Sequence, residues 1–185
     1  TFGGRELLKK YSNIDFAIQG EGEITFLELV EALETKKDLS KVLGIVYRSR
    51  NEVIENKNRP LIDNLDMLPF PDRDQFEQHD GKLQYVRLST SRGCLGQCGF
   101  CSSFAGRCQK GPRWRGRSPK NVVDEIEMLV KKYDFHTYDF VDSTFEDPGR
   151  KGKIRIEAIA REIINRKLDI FYNCCFRAEN WSEKD

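Results

Sequence analysis

The stretch that decides the fold runs from residue 85 to residue 101 and reads YVRLSTSRGCLGQCGFC. It opens with a strand-like apolar run and closes with three cysteines, Cys94, Cys98 and Cys101, within eight residues. Thiolates are the soft ligands that iron-sulfur clusters select. Three thiolates hold three irons of a four-iron cluster and leave the fourth iron open to another ligand. The spacing therefore predicts a metal-cluster loop that takes part in chemistry rather than one that only stores electrons.

The composition is that of a globular chain without a strong charge bias. Hydrophobic residues make up 38% and charged residues 33% of the sequence, and the net charge is +1. At 185 residues the length permits one ordinary domain or parts of two. No apolar stretch approaches the roughly 18 residues that a membrane span requires, and no signal segment opens the chain. We therefore expect a cytoplasmic protein with no membrane partner.

Cysteine usage and the chain ends carry two further expectations. The sequence has six cysteines, and the clustering of three of them in a chain of this size fits a reducing compartment better than a disulfide framework. The first residue is Thr1 rather than Met, and Asp185 follows shortly after a predicted strand. We therefore expect a fragment of a longer protein.

The first part of the chain predicts a strand, a helix and a hairpin. Residues 14–18 form a short apolar run that ends in a glycine-containing turn, and apolar residues then recur at helical spacing. These helical positions are Ile24, Leu27, Val30 and Leu33. Residues 42–47 and 53–54 predict two strands of a hairpin. The proline-containing stretch at 59–73 indicates a linker.

From residue 85 onward the pattern alternates strands with helices. The predicted strands are 85–88, 138–141 and 170–174. Ser118 and Pro119 supply a cap and a first-turn proline for one helix, and residues 154–164 form a second. The predicted apolar faces are Val122, Ile126, Leu129, Val130 and Tyr133 in the first helix, and Ile156, Ile159, Ile163 and Ile164 in the second. This alternation predicts a parallel sheet with right-handed crossovers.

Polar or metal-binding residues follow all three predicted strands. The cysteine loop follows the first strand, the run Asp142-Ser143-Thr144 ends the second, and Arg177 lies just past the third. In barrel-like parallel sheets, ligand-handling residues gather at the carboxyl ends of the strands. We therefore expect these residues to face one mouth.

The C-x3-C-x2-C spacing, with Phe100 directly before the last cysteine, resembles the signature of radical S-adenosylmethionine (SAM) enzymes. Other segments resemble the branch of that superfamily that carries a cobalamin-binding domain. They are GG at 3–4, DFAIQGEGE at 15–23, GIVYR at 44–48, LPFPDR at 68–73, RSPKNVVDE at 117–125 and DFVDSTF at 139–145. The resemblance runs nearly from end to end of the chain.

The resemblance implies an α/β fold built from parts of two domains. Residues 1–58 would be the C-terminal part of a doubly wound, Rossmann-like cobalamin-binding domain, and residues 59–81 a linker. Residues 82–185 would form the N-terminal half of a radical SAM partial (βα)6 barrel. The axial-histidine motif of the cobalamin domain is not in this sequence.

The resemblance also implies cofactors and the residues that bind them. Cys94, Cys98 and Cys101 would bind a [4Fe-4S] cluster, and SAM would chelate its open iron. The other implied contacts are Phe100 beside the adenine, Asp142 or Ser143 at the methionyl amine, Arg177 at the methionyl carboxylate, and Gly3 and Gly4 along the nucleotide tail of cobalamin.

The function implied is that of a radical SAM enzyme. It would cleave SAM reductively and start methyl transfer, cyclisation or rearrangement on a small-molecule or peptide substrate. A reductase, flavodoxin or ferredoxin would supply the electron. We expect the fragment alone to be catalytically inactive and to bind cobalamin poorly.

Two alternatives stay open on the sequence. The first is an RNA-modifying, methylthiotransferase-like radical SAM enzyme, which the basic stretch at 107–120 would serve; the chain is balanced overall, so we do not expect a nucleic-acid partner. The second is a non-catalytic iron-sulfur or zinc module. Cys108 would complete a four-cysteine zinc site, although typical zinc sites use cysteine pairs on two separate loops.

Overall fold

The computed structural model describes residues 3–50, 52–74, 85–96, 98–101, 111–146 and 150–177. It divides into two compact units. The first comprises residues 1–62 with 99–112, and the second residues 63–98 with 113–185. The change of unit after Ile62 falls inside the stretch that the sequence predicts to be a linker.

The first unit contains a small antiparallel sheet flanked by helices. Its elements are α1 (Gly4–Lys10), β1 (Phe16–Ile18), α2 (Gly22–Glu34), β2 (Ile45–Ser49) and β3 (Glu52–Glu55). The strand order is β1-β2-β3, with both pairings antiparallel. The predicted hairpin is confirmed, since Val46 lies opposite Glu55 and Ser49 opposite Glu52.

Helix α2 is confirmed as a helix, and its buried residues differ from the apolar positions whose spacing indicated it. Thr25, Leu29 and Ala32 are buried, whereas Leu27 and Leu33 are 57% and 46% exposed. Thr25 faces inward because its Oγ1 donates to the Leu43 carbonyl at 3.2 Å and accepts from Arg59 Nε at 2.9 Å. This helix is apolar on two sides, and periodicity alone does not say which side packs.

The second unit is a parallel α/β layer with a short antiparallel ladder. Its elements are β4 (Val86–Leu88), β5 (Ser91–Gly93), β6 (Trp114–Gly116), α3 (Pro119–Tyr133), β7 (Thr137–Phe140), α4 (Arg150–Asn165) and β8 (Phe171–Cys174). Strands β4, β7 and β8 pair in parallel in that order, and β5 pairs with β6 antiparallel. The predicted parallel sheet from residue 85 onward is confirmed.

The two helices of this unit follow the predicted pattern with one error. The Ser118 side chain caps α3 by accepting from the Asn121 backbone N–H at 3.2 Å. The predicted face of α3 packs into the core. In α4, Ile159 and Ile163 are buried, but Ile164 is 71% exposed. Neighbouring positions on a helix point about 100° apart, and with Ile159 and Ile163 facing the core, Ile164 lies at the solvent side.

The apolar core of the second unit lies between the parallel sheet and these helices. Tyr138 and Phe140 of the central strand β7 are each 1% exposed. The Tyr138 hydroxyl donates to the Phe135 carbonyl at 2.7 Å, so the buried phenol has a partner. This core fixes the strands whose carboxyl ends carry the predicted site.

A buried ion triad joins two of the segments that carry the family resemblance. Glu125 of α3, with a side chain 1% exposed, accepts from Arg73 Nη1 at 2.8 Å and from Arg117 Nη1 at 2.5 Å. Arg73 also donates to the Arg87 carbonyl at 3.2 Å, and Arg117 donates to the Ser89 carbonyl at 2.8 Å. The triad therefore ties the chain at 73 and at 117 to the middle of α3 and to the end of β4.

Across the described parts of the chain, no helix is both long enough and apolar enough to cross a membrane.

Candidate metal centre and cofactor site

The candidate site lies at the carboxyl edge of the parallel sheet. β4 runs into Ser89 and Thr90, β7 into Asp142, and β8 into Cys175 and Arg177. Parallel strands end at the same edge, so these residues share one side of the sheet. The Phe145 N–H donates to the Cys175 carbonyl at 2.8 Å, which joins the segments beyond β7 and β8.

Gly93 shapes the start of the cysteine loop. Its φ is +89°, a left-handed value that side chains with a Cβ rarely adopt. A Cβ at Gly93 would also lie 1.9 Å from the carbonyl oxygen of Arg113, which directly precedes the neighbouring strand β6. Only glycine therefore lets β5 pair with β6 and turn at once into the cysteines.

Two of the three predicted thiols converge around Gly96. The Gly96 N–H donates to Cys94 Sγ at 3.3 Å. A Cβ on Gly96 would lie 3.3 Å from Cys94 Sγ, 3.8 Å from Cys98 Sγ and 3.6 Å from Arg177 Nη1. The glycine leaves open the space between two soft donors and one guanidinium.

The third predicted ligand, Cys101, is partly buried, and Phe100 beside it is 95% exposed. The thiols of Cys94, Cys98 and Cys101 are all free of disulfides. Among the residues that the structure describes, no three His, Cys, Asp or Glu side chains are gathered closely enough to hold a metal ion. The soft donors of Cys94 and Cys98, with a glycine-sized space between them, fit thiolate ligation of a cluster.

Asp142 is buried and makes bonds to the chain's own residues. Its Oδ1 accepts from the Thr90 N–H at 2.8 Å and the Ser91 N–H at 2.7 Å, and its Oδ2 accepts from Thr90 Oγ1 at 2.6 Å. Burial raises the pKa of Asp142, while the hydrogen bonds from Thr90 and Ser91 and the charge of Arg155 act in the opposite direction. The adjacent Ser143 is exposed.

The structure adds Arg155 to this edge, which sequence reasoning missed. Its guanidinium donates to the carbonyls of Thr90 at 2.7 Å, Arg117 at 2.9 Å and Phe145 at 3.3 Å. It also lies 5.4 Å from the centre of the Trp114 ring, within cation-π range. No sequence signal distinguishes Arg155 from the other basic residues of its helix.

Glu146 is a second buried residue that the sequence did not indicate. It is 3% exposed, accepts from Thr144 Oγ1 at 2.6 Å and accepts from the Arg177 N–H at 2.9 Å. It therefore ties the segment that carries Arg177 to the end of β7. An acid four residues after Asp142, just past a strand, was the available signal.

The predicted cobalamin residues Gly3 and Gly4 lie at the start of α1. A Cβ at Gly4 would lie 2.9 Å from Val46 Cγ2 and 3.2 Å from Ala17 Cβ, so α1 packs closely on the sheet there. A Cβ at Gly3 would meet nothing within 4 Å. The close packing of α1 on the sheet is therefore enough to explain a glycine at position 4, whereas the surroundings of Gly3 are open.

Part of the basic stretch at 107–120 serves the fold. Residues 107–110 lie outside the described residues. Arg115 is 7% exposed, and the Arg117 side chain is 12% exposed in the ion triad. These two cations are not part of an exposed surface for a polyanion.

No family model matches the chain. Individual curated proteins do match the chain in sequence. An uncharacterized methyltransferase of Pyrococcus horikoshii is 35% identical across the whole chain, which spans 39% of that relative. An anaerobic magnesium-protoporphyrin IX monomethyl ester cyclase of Synechocystis is 34% identical over 77% of the chain and 28% of its own length. The chain thus spans well under half of these relatives.

Solved structures with the same fold include two radical enzymes. The cobalamin-dependent SAM radical enzyme OxsB matches all of this chain, and 26% of its own, with a TM-score of 0.75 and 25% identity. The radical SAM methyltransferase TsrM from Kitasatospora setae, solved with cobalamin and a [4Fe-4S] cluster, matches 87% of this chain and 31% of its own with a TM-score of 0.59 and 18% identity. The sequence relatives, the shared fold and the cysteine loop agree. The chain belongs to the radical SAM superfamily, in its cobalamin-associated branch.

Proposed function

We propose that this chain is the part of a cobalamin-associated radical SAM enzyme that holds the [4Fe-4S] cluster and SAM. One observation carries the proposal. The thiols of Cys94 and Cys98 and the guanidinium of Arg177 surround Gly96 at the carboxyl edge of the parallel sheet. When bound, the cluster and SAM supply one-electron cleavage chemistry, and the protein supplies placement.

The site residues divide by the chemistry of their side chains. Cys94, Cys98 and Cys101 offer thiolates to the cluster. Arg177 offers a planar fork that suits the methionyl carboxylate of SAM. Ser143 is exposed beside the site and suits the methionyl amine, whereas Asp142 is buried and bonded to Thr90 and Ser91.

The adenine contact is proposed for Phe100. Its ring is 95% exposed and directly precedes the third cysteine. An exposed aromatic ring can bind a nucleobase by stacking, because the stacking of aromatic side chains on bases is energetically favourable.

The finer domain assignment is part of the same proposal. The parallel order β4-β7-β8, with α3 and α4 between the strands, supports the first half of a partial (βα)6 barrel at 82–185. Residues 1–58 would close a doubly wound cobalamin-binding domain, with Gly3 as the contact to the cobalamin tail because its surroundings are open. Residues 59–81 would connect the two.

The reaction class proposed is methyl transfer or cyclisation on a small molecule. The relatives' names, a methyltransferase and a porphyrin-ester cyclase, support that range. A protein electron donor such as a flavodoxin or ferredoxin would serve the cluster. The RNA-modifying alternative gains nothing from Arg115 and Arg117, because Arg115 is 7% exposed and the Arg117 side chain is 12% exposed and paired with Glu125.

Equilibrium dialysis of SAM against the purified protein tests this proposal. We expect anaerobically reconstituted protein to bind SAM and cluster-free protein to bind it far more weakly, because the open iron would supply two of the ligand's contacts. Cys98→Ser protein, treated identically, serves as the control and should behave as the cluster-free form. Equal SAM binding with and without the cluster would contradict the proposal.

A further inference from the structure

Thr90 is the most tightly enclosed residue at the candidate site. It is 0% exposed, and each of its polar groups has a charged partner. Its N–H and Oγ1 donate to the two carboxylate oxygens of Asp142, at 2.8 Å and 2.6 Å. Its carbonyl accepts from Arg155 Nη2 at 2.7 Å. Thr90 is thus bonded to the Asp142 carboxylate through its N–H and hydroxyl, and to the Arg155 guanidinium through its carbonyl.

Thr90 lies in the segment of chain that leads from β4 through β5 into the cysteine loop. Thr90 and Ser91 join the end of β4 to the start of β5, and Cys94 follows directly after β5. Ser91 is held as well, because its N–H donates to Asp142 at 2.7 Å and its Oγ donates to the Thr144 carbonyl at 3.2 Å. The direction in which the cysteine loop leaves the sheet is therefore set at these two residues.

Fixing a backbone segment with buried charged side chains costs free energy. Burying a carboxylate or a guanidinium carries a desolvation penalty that only well-formed hydrogen bonds offset. Asp142 is 6% exposed, and its oxygens receive three short bonds, while Arg155 reaches three carbonyls. Such charge-assisted bonds are stronger and more directional than neutral ones, which suits a segment that has to be fixed in advance.

We infer that Asp142 and Arg155 are positioning residues that clamp Thr90 and Ser91, so that Cys94 and Cys98 are presented to the cluster in a fixed arrangement. The inference rests on the proposed function. It gives Asp142 a role at the thiols and not at the methionyl amine of SAM. Removing the clamp therefore speeds the loss of the cluster. The protein molecules that still hold a cluster bind SAM with unchanged affinity.

Two matched pairs of variants test the clamp in the purified, anaerobically reconstituted protein. Thr90→Val removes only the hydroxyl that Asp142 accepts, and Thr90→Ser keeps it. Asp142→Asn replaces one acceptor oxygen with a donor, and Asp139→Asn makes the same change three residues earlier, where Asp139 is partly exposed and accepts from Asn173 at 3.1 Å. The readouts are loss of the visible cluster absorbance to an iron chelator, amide hydrogen exchange in residues 86–96, and the Kd of the loaded sites for SAM.

We expect Thr90→Val and Asp142→Asn to lose the cluster roughly tenfold faster than wild type, the scale of one hydrogen bond to a charged group. Exchange at Thr90 and Ser91 should rise, and the Kd for SAM should stay within about twofold of wild type. Thr90→Ser and Asp139→Asn should match wild type. Unchanged cluster retention in Thr90→Val and Asp142→Asn would overturn the inference.

A different result would assign Asp142 to SAM binding. If Asp142→Asn kept its cluster but weakened SAM binding more than about tenfold, direct contact with SAM would replace the clamp. A wild-type protein that assembles no iron-sulfur cluster would instead refute the proposed function, and the clamp's role at the cluster with it. The wild-type absorbance alone separates these two cases.

Discussion

Replacing Cys94, Cys98 or Cys101 singly with serine is expected to abolish cluster binding. Iron should fall from about four atoms per chain to background in the reconstituted protein. The physical reason is that a serine hydroxyl neither ionises near neutral pH nor offers the soft sulfur that iron-sulfur clusters select. Iron and acid-labile sulfide analysis of each purified variant measures this.

Two other cysteines supply the controls. Cys175→Ser changes an exposed thiol outside the motif and should retain full iron content. Cys108→Ser tests the zinc alternative, and Cys108 lies outside the described residues. If Cys108→Ser lost its metal as fully as Cys94→Ser, and that metal were zinc, the four-cysteine zinc site would be the better account.

Glu125→Gln is expected to lower the free energy of unfolding by about 3–5 kcal/mol, the usual cost of removing one partner from a buried ion pair. Glu125 accepts from two arginines whose side chains are 7% and 12% exposed. A glutamine side chain has the same shape but no charge, so both guanidinium groups would stay buried without a counter-ion. Urea unfolding followed by circular dichroism gives the change in free energy.

Glu127→Gln is the matched control on the same helix. Glu127 pairs with Lys131 and Arg166 near solvent, where ion pairs contribute little. Its substitution should change the unfolding free energy far less than that of Glu125. Equal effects of the two substitutions would show that the buried triad does not hold the segments at 73 and 117 in place.

The elements that periodicity specifies were predictable from the sequence. Helix α3 shows this most clearly, because Ser118 caps it and its apolar positions repeat every three or four residues. The parallel pairing of β4, β7 and β8 followed from the alternation of strands with helices. In α2 the periodicity indicated the helix but not its buried side, because that helix is apolar on two sides and Thr25 is turned inward by its hydrogen bonds.

The polar contacts of the site were only partly predictable. The cysteine spacing indicated a candidate loop, and the strand ends indicated Asp142 and Arg177 as candidate residues. The partners of these residues were not visible, because Thr90 and Asp142 are 52 residues apart in the chain and Arg155 reaches Thr90 across 65 residues. Hydrogen bonds between such distant residues depend on the packed sheet, and no local pattern encodes them.

The most direct measurement of the central claim is electron paramagnetic resonance of the anaerobically reconstituted, chemically reduced protein, recorded with and without SAM. The account predicts a four-iron signal whose shape and position change when SAM is added, because SAM would coordinate the open iron beside Cys94, Cys98 and Cys101. A protein that holds only zinc, or a cluster signal that SAM leaves unchanged, would contradict the account and indicate a binding or electron-transfer module.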